Sequence, residues 1–401
     1  MRHHFKLTHV EHLISPSVKM TIGDARSFTT LDGNFKYTEL LPISPKEISS
    51  AFLMGQNDCI QQVKDIWERI NSDSALTFSG QIELKNIISF GPCGLLLAPE
   101  NNMALIGGIV NWGEEFARWY IDSNATTEMN LTWSDDRTSF ELDLPDEIQT
   151  EHRPGLLMES PGQNVYGHWL LDYAPRLMLA SLMHGPWINN LFFFQIPHWA
   201  EPILKAFGID RTKCFERSSA SFIRYQNAAL PSGSKNGFRV SQPVSRYAWL
   251  KLKHVMLASE ISSTERDRLN SLECKKIFVS RRSWEPSRVI ENIVEIEDIC
   301  RMRGYTIVRP EEFSLAGQAK LFNTARVVIG EDGSALHNII FSDPGCRLGV
   351  ISVLNRLNLW HMEFANSMGH NLSYVAAETK LDGRKVISKA SFLEMLDRIE
   401  S

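Results

Sequence analysis

The 401-residue chain lacks an uninterrupted apolar run of the ~18–20 residues that span a bilayer. Its best stretch, Gly94–Pro99 followed by Met103–Val110, is split by Glu100, Asn101 and Asn102. The opening MRHHFKLTHVEHLI has no apolar core of the roughly 7–15 residues a secretory leader needs, so a cytoplasmic protein is expected. Cysteine is sparse and scattered. Cys59, Cys93, Cys214, Cys274, Cys300 and Cys346 include no CxxC pair, which excludes zinc-cluster spacing and a small disulfide scaffold and leaves free thiols. A basic excess is also missing. With 42 Lys+Arg against 47 Asp+Glu the formal charge is −5, which argues against nucleic acid as the main partner. The chain has no internal repeat, no GxSxG elbow and no HExxH helix, so the residues of two common hydrolase chemistries are absent.

What is present is the composition of a folded protein. Hydrophobic residues make up 43% and charged residues 22%, too apolar for long disordered stretches. The length suits about two to three domains. Residues 1–150 read as a β-rich accessory region, with strand-like runs at Gln81–Phe90, Gly94–Ala98, Ala104–Val110 and Ser139–Leu144. One helix is expected over Asn57–Ile70, where Ile60, Val63, Ile66, Trp67 and Ile70 recur on one face. His3, His4, His9 and His12 lie at a chain terminus without fixed metal-ligand geometry and are read as solvated.

From about residue 155 strands alternate with helices. Leu191–Ile196 and Tyr225–Leu230 are strand candidates, Pro231–Gly237 is turn-rich, and a helix is expected over Pro243–Ser259. The polar segment Ser262–Ser271 reads as a hinge. Beyond it come strands at Lys276–Ser280, Tyr305–Val308, Arg326–Ile329 and Leu348–Val353. Helices are expected at Asn292–Arg303, Leu315–Asn323, Ala335–Phe341 and Lys389–Ile399, with Ser314 and Ser388 as N-caps. Such alternation implies parallel sheets covered by helices. The expected fold is α/β, with two facing Rossmann-like lobes, 151–261 and 262–401, a ligand cleft between them, and the N-terminal β-rich extension 1–150.

Three segments carry chemistry. In Val327–Ala335 a buried strand runs into Gly330-Glu331-Asp332-Gly333 and a helix starts at once. Free N–H groups at such a start suit a phosphate, Gly333 allows close approach and Ser334 offers a hydroxyl, although any strand–turn–helix corner uses Gly and Ser. The second is the strand end Ser280-Arg281-Arg282 with Arg288. Arginines at the carboxyl end of a parallel strand are placed for bidentate contacts to a diphosphate. The third is Asn164 to Arg176. On a helix, His168 and Asp172 lie i, i+4 apart, so the carboxylate can orient an imidazole that titrates near neutrality, or the pair can simply brace the fold. Pro175 is expected to break or kink that helix before Arg176.

Together these segments resemble glycosyltransferase family 61, over roughly residues 155–355. The likeness rests on Asn164…His168-Trp169…Asp172…Pro175-Arg176, on Ser280-Arg281…Arg288, and on Glu312-x-Ser314…Gln318…Phe322…Ala325. It ends with Gly330-x-x-Gly333-Ser334-Ala335-Leu336-x-Asn338…Phe341. Two departures stand out. Asp332 occupies the place where the family usually has a histidine, and Glu291-Asn292 reverses the family's Asn-Glu.

The resemblance implies a GT-B architecture and an inverting transfer from a UDP-sugar to a glycan acceptor, in a family that includes capsule and exopolysaccharide transferases. The chain contains no Asp-x-Asp triplet, the motif with which GT-A enzymes hold a divalent cation, so no metal and no cofactor are expected. The diphosphate is then expected on Arg281, Arg288 and the Gly333-Ser334-Ala335 corner. Glu312 and Asn338 are candidates for ribose or sugar contacts, and Gln318 for a supporting hydrogen bond. Asn164 and Arg176 would bind or support the acceptor side. Both His168, oriented by Asp172, and Asp332 qualify as the base. The alternative reading is a non-catalytic sugar- or nucleotide-binding protein, or an accessory subunit whose 1–150 region docks a partner or a membrane surface.

Overall fold

The computed structural model describes residues 2–9, 27–29, 35–44, 52–54, 77–91, 95–106, 114–159, 162–183, 186–217, 222–232, 235–236, 239–240, 242–283, 289–353, 360–380 and 383–401. The chain forms two compact units, one of residues 1–45 and 76–248, the other of residues 46–75 and 249–401. Among the described residues no helix is long and apolar enough to cross a membrane. The described cysteines, Cys214, Cys274, Cys300 and Cys346, are buried free thiols. Cys59, Cys93 and the helix expected over Asn57–Ile70 lie outside the described residues.

The first unit is built on a mixed 13-stranded sheet. Four of its strands form a parallel run in the spatial order Cys214–Glu216, Leu191–Phe193, Gly155–Leu157, Phe222–Ser232. Numbered along the chain this is 3-2-1-4, the order of a dinucleotide-binding half-sheet. Thr77–Phe90 then pairs antiparallel with Phe222–Ser232, in register from Phe222↔Phe90 to Ser232↔Gly80. Leu95–Ala98, Met103–Ile106, Arg2–His9, Ser139–Asp143 and Thr132–Trp133 continue the sheet. Leu84, Leu157, Phe192 and Leu230 pack in one core. The expected boundary at residue 150 is therefore not where the chain divides. Strands from both sides of it share a sheet and a core, a long-range pairing that leaves no mark in local composition.

The second unit has a parallel sheet in the order Thr306–Val308, Lys276–Val279, Val327–Glu331, Arg347–Val353, Asn371–Thr379. Along the chain the order is 2-1-3-4-5, that of a doubly wound sheet. Val327–Glu331 is buried at every position, as a central parallel strand must be. Helices Ile293–Met302 and Lys389–Glu400 pack Ile296, Ile299, Leu396 and Ile399 against Phe278, Ile329, Ile351 and Val375. Ser314 Oγ accepts from Gly317 N at 3.1 Å and Ser388 Oγ from Ser391 N at 3.5 Å, so both expected caps form. Phe52–Met54 joins this sheet beside Asn371–Thr379. A segment from the first hundred residues thus belongs to the carboxyl-terminal unit.

The expected hinge at Ser262–Ser271 is a helix, Ser263–Asn270. Ser262 Oγ accepts from Glu265 N at 3.1 Å, the cap that a serine followed three residues later by glutamate announces. The helix carries no buried residue, so it has no apolar stripe to be read by periodicity. The chain instead passes between units at residues 248–249.

Candidate functional site

In a doubly wound sheet ligands lie beyond the carboxyl ends of the strands, where the strand order reverses. In the second unit that point falls between Lys276–Val279 and Val327–Glu331. Two of the sequence candidates meet there. Arg281 leaves the first of these strands and its Nη1 donates to the main-chain carbonyl of Asp332. Gly333 lies directly under the guanidinium, and a Cβ added to it would come 2.8 Å from Arg281 Nη1. Its φ of 164° is extended, so space rather than backbone conformation calls for glycine.

A 3₁₀ helix, Ser334–Phe341, starts at this point. It begins one residue earlier than expected and is wound more tightly than an α-helix. Leu336 N is the first to return to the turn, donating to Gly333 O at 3.0 Å, so the N–H groups of half-buried Ser334 and Ala335 precede the ladder. An arginine cation and the open start of a helix thus share one corner, which suits an anion.

The remaining candidates of this unit are placed differently. Asp332 adjoins the corner through its main chain, while its side chain, 20% exposed, points to His361, with Oδ1 2.9 Å from His361 Nε2. Gln318 and Asn338 do come together, but internally. Asn338 is fully buried, its Nδ2 donates to Gln318 Oε1 at 2.8 Å, and Gln318 Nε2 donates to Phe313 O at 3.1 Å. The amide of Asn338 therefore ties helix Leu315–Thr324 to the 3₁₀ helix instead of facing a ribose. Glu312 sits beyond the end of the neighbouring strand Thr306–Val308, paired with Arg268 and, at 3.6 Å, with Arg309. The hydrogen bond from Arg268 holds its carboxyl below the usual range. Arg288 lies outside the described residues.

Two further groups at this strand end escaped the sequence reading. Glu331 is buried, Oε1 accepts from Ile290 N at 2.8 Å, and Oε2 has no partner. Burial pushes its carboxyl up to about 7, against opposing pulls from the Ile290 N–H and Arg281. His361 is the other. It opens helix Trp360–Met368, which follows the next parallel strand, Arg347–Val353, so a histidine one βα loop along was the available signal.

The first unit has its own reversal point, between Gly155–Leu157 and Phe222–Ser232. The chain leaving Leu157 reaches a helix at Tyr166–His168, winds a π turn over Trp169–Tyr173 and continues as Ala174–Leu182. Ala174 N donates to Trp169 O, five residues back. The helix does not break at Pro175 as expected, because the wide turn restarts the α-register at Ala174. Pro175 then falls in a first turn, where its missing N–H is least felt. His168 Nδ1 and Asp172 Oδ2 lie 2.5 Å apart, with the imidazole 22% and the carboxylate 2% exposed. The anticipated pair forms, carboxylate beneath and imidazole edge outward. Gly162, at φ +78°, lies flat against that ring, and a Cβ there would overlap His168 Cδ2.

Arg176 is 1% exposed and spans the reversal point from below. Nη2 donates to Leu157 O at 2.5 Å, Nη1 to Met158 O at 3.2 Å and Nε to Pro231 O at 3.3 Å. Each of its three nitrogens donates to the end of a strand and the side chain is buried, so it supports the site and does not face an acceptor. Burial lowers its pKa to about 10, which leaves it charged at neutral pH. Asn164 is exposed in the turn before the helix. A buried cluster unseen in the sequence lies nearby, where Glu159 accepts from Ser89 Oγ at 2.5 Å and Tyr225 OH at 2.8 Å and lies 3.5 Å from Arg217. Among the described residues no three or more His, Cys, Asp or Glu side chains gather as a metal site.

The family model for Glycosyltransferase 61 matches residues 166–349, a span that contains both the His168 helix and the Arg281–Ala335 corner. No curated protein matches the chain.

Proposed function

Residues 166–349 belong to glycosyltransferase family 61, and from that premise we propose that the protein moves a sugar from a UDP-sugar to a glycan hydroxyl, with inversion at the anomeric carbon. One observation carries the reading. Arg281 and the start of the Ser334–Phe341 helix lie together at the reversal point of the 2-1-3-4-5 sheet, beside a glycine that leaves the guanidinium room. The diphosphate rests on that corner, and its departing charge is met by a fixed cation and aligned N–H dipoles. The second unit is then the donor half of a GT-B architecture, and the missing Asp-x-Asp triplet fits a transfer without a divalent ion.

The acceptor belongs to the first unit. As its oxygen bonds to the anomeric carbon, the bond to the β-phosphate breaks and the electron pair leaves with UDP. His168 takes the hydroxyl proton on Nε2, and buried Asp172, on Nδ1, orients the ring and stabilises the imidazolium. Such help is typically worth ~10²–10⁴-fold. His168→Ala is therefore expected to bind UDP like the parent in calorimetry and to lose transfer by about that factor. Equal transfer rates in parent and variant would remove His168 from this role. By the family resemblance, the acceptor is a surface glycan assembled at the inner face of a bacterial membrane.

A second reading has an observation of its own. Asp332 stands where the resemblance expects a histidine, and a binder of nucleotide sugars that has lost its chemistry would carry such a change. Turnover of any UDP-sugar, by transfer or slow hydrolysis, excludes it.

A further inference from the structure

Asp332 poses an electrostatic problem. It places a carboxylate at the very turn whose cation and N–H groups suit a diphosphate, and like charges that close repel. The geometry around it resolves the conflict. Arg281 approaches from the Lys276–Val279 side and takes the main-chain carbonyl of Asp332, not its carboxylate. The carboxylate turns to the other side of the strand, where Asp332 N donates to Ile351 O at 2.8 Å and Oδ1 meets His361 Nε2 at 2.9 Å.

His361 is fully buried, and its Nδ1 has no hydrogen-bond partner. Its ring packs edge-on to His337, 5.3 Å between centroids, and His337 packs in turn against Phe364, 4.7 Å between centroids. With the ring buried, its Nε2 contact with the Asp332 carboxylate is what ties the two side chains together. Among the described residues the hydrogen-bonding partner of His361 is Asp332, and the effect is to fix the direction of a carboxylate that stays 20% exposed.

We propose that Asp332, held by His361 as a positioning residue, is the donor-sugar specificity residue, accepting a hydroxyl of the transferred ring. This rests on the donor-site reading above. In a nucleotide sugar the ring is bonded to the β-phosphate, so a group one residue from the phosphate corner meets the ring first. A carboxylate there attracts a hydroxyl donor while the cation on its other flank attracts the phosphate. One turn, Asp332-Gly333, thereby reads both halves of the bond that breaks.

The test is calorimetric titration of the full chain with UDP and with UDP-glucose, UDP-galactose, UDP-N-acetylglucosamine and UDP-xylose, comparing the parent with Asp332→Asn, His361→Ala and His361→Gln. The parent is expected to bind one of these sugars more tightly than UDP. Asp332→Asn keeps UDP within about twofold and weakens that sugar nucleotide about tenfold, the effect of losing a hydrogen bond to a charged acceptor. His361→Ala shows the same pattern more weakly, and His361→Gln, whose amide can donate near the old Nε2, restores it. In turnover the donor KM rises while the pH profile of kcat keeps its shape. Equal losses for UDP and sugar nucleotide, no loss for either, or a vanished limb in the kcat profile at unchanged KM would each overturn the assignment, the last by making Asp332 the base. A parent that binds neither UDP nor any of the four sugars fails at the earlier step and overturns the donor-site reading itself.

Discussion

Glu331 and Gly333 flank Asp332, and each makes a separate demand on the strand end. Glu331 is a carboxyl buried with one oxygen unpartnered, and its pKa is raised from 4.5 to about 7. The folded state therefore holds a proton that the unfolded chain releases, and stability falls as pH rises from about 4.5 to about 7, then levels. The shift corresponds to about 3 kcal/mol. Glu331→Gln keeps an oxygen for Ile290 N and cannot ionise. Denaturant melts should show the variant gaining stability over the parent above pH 7 and losing the fall between these limits; parallel pH curves would mean that Glu331 titrates normally. For Gly333→Ala the backbone is unstrained but the new methyl displaces the Arg281 guanidinium. UDP affinity should drop about three- to tenfold, as for one weakened charged hydrogen bond, with the thermal midpoint nearly unchanged. A fall in the midpoint without a change in affinity would show that the glycine serves packing alone.

The helix that carries His168 shows how far element-level reading goes. The i, i+4 spacing of His168 and Asp172 was legible, and so was their pairing. That Pro175 would be absorbed by a π turn was not, because the wide turn with its Ala174 N to Trp169 O bond has no residue-type signature in the sequence. Packing of the helix on the sheet buries Arg176. Its three carbonyl acceptors come from two strands, and Arg176→Met leaves all three without a donor in a dry interior. Each orphaned acceptor costs about 1–3 kcal/mol, so urea unfolding should register a loss of at least about 3 kcal/mol. A loss below about 1 kcal/mol would mean that water replaces the guanidinium. The strands Lys276–Val279 and Val327–Glu331 were readable from continuous apolar runs, and the caps Ser314 and Ser388 from residue type. Helix Ser263–Asn270 stands where a hinge is expected, because a solvated helix has no apolar face for periodicity to reveal.

For the whole molecule, alternation of strands and helices was enough to give the α/β class and the parallel sheet of the second unit. It was not enough to give the division of the chain. Phe222–Ser232 pairs with Thr77–Phe90, and Phe52–Met54 pairs with Asn371–Thr379. Contacts so distant in sequence depend on register and strand order, which local composition does not encode. The same holds for the site. Arg281 and Gly333 could be nominated from strand ends, whereas His361 reaches Asp332 only because the sheet sets Arg347–Val353 beside Val327–Glu331.

In the proposed transfer the chain's own cation and N–H groups hold the leaving diphosphate. Calorimetric titration of UDP in excess EDTA, run on the parent and on Arg281→Ala, addresses it most directly. The parent should bind UDP with chelator present, and the variant should bind at least about tenfold more weakly, the scale of a lost charged hydrogen-bond pair. A variant that binds as tightly as the parent, or a parent that binds only when magnesium is restored, would contradict it.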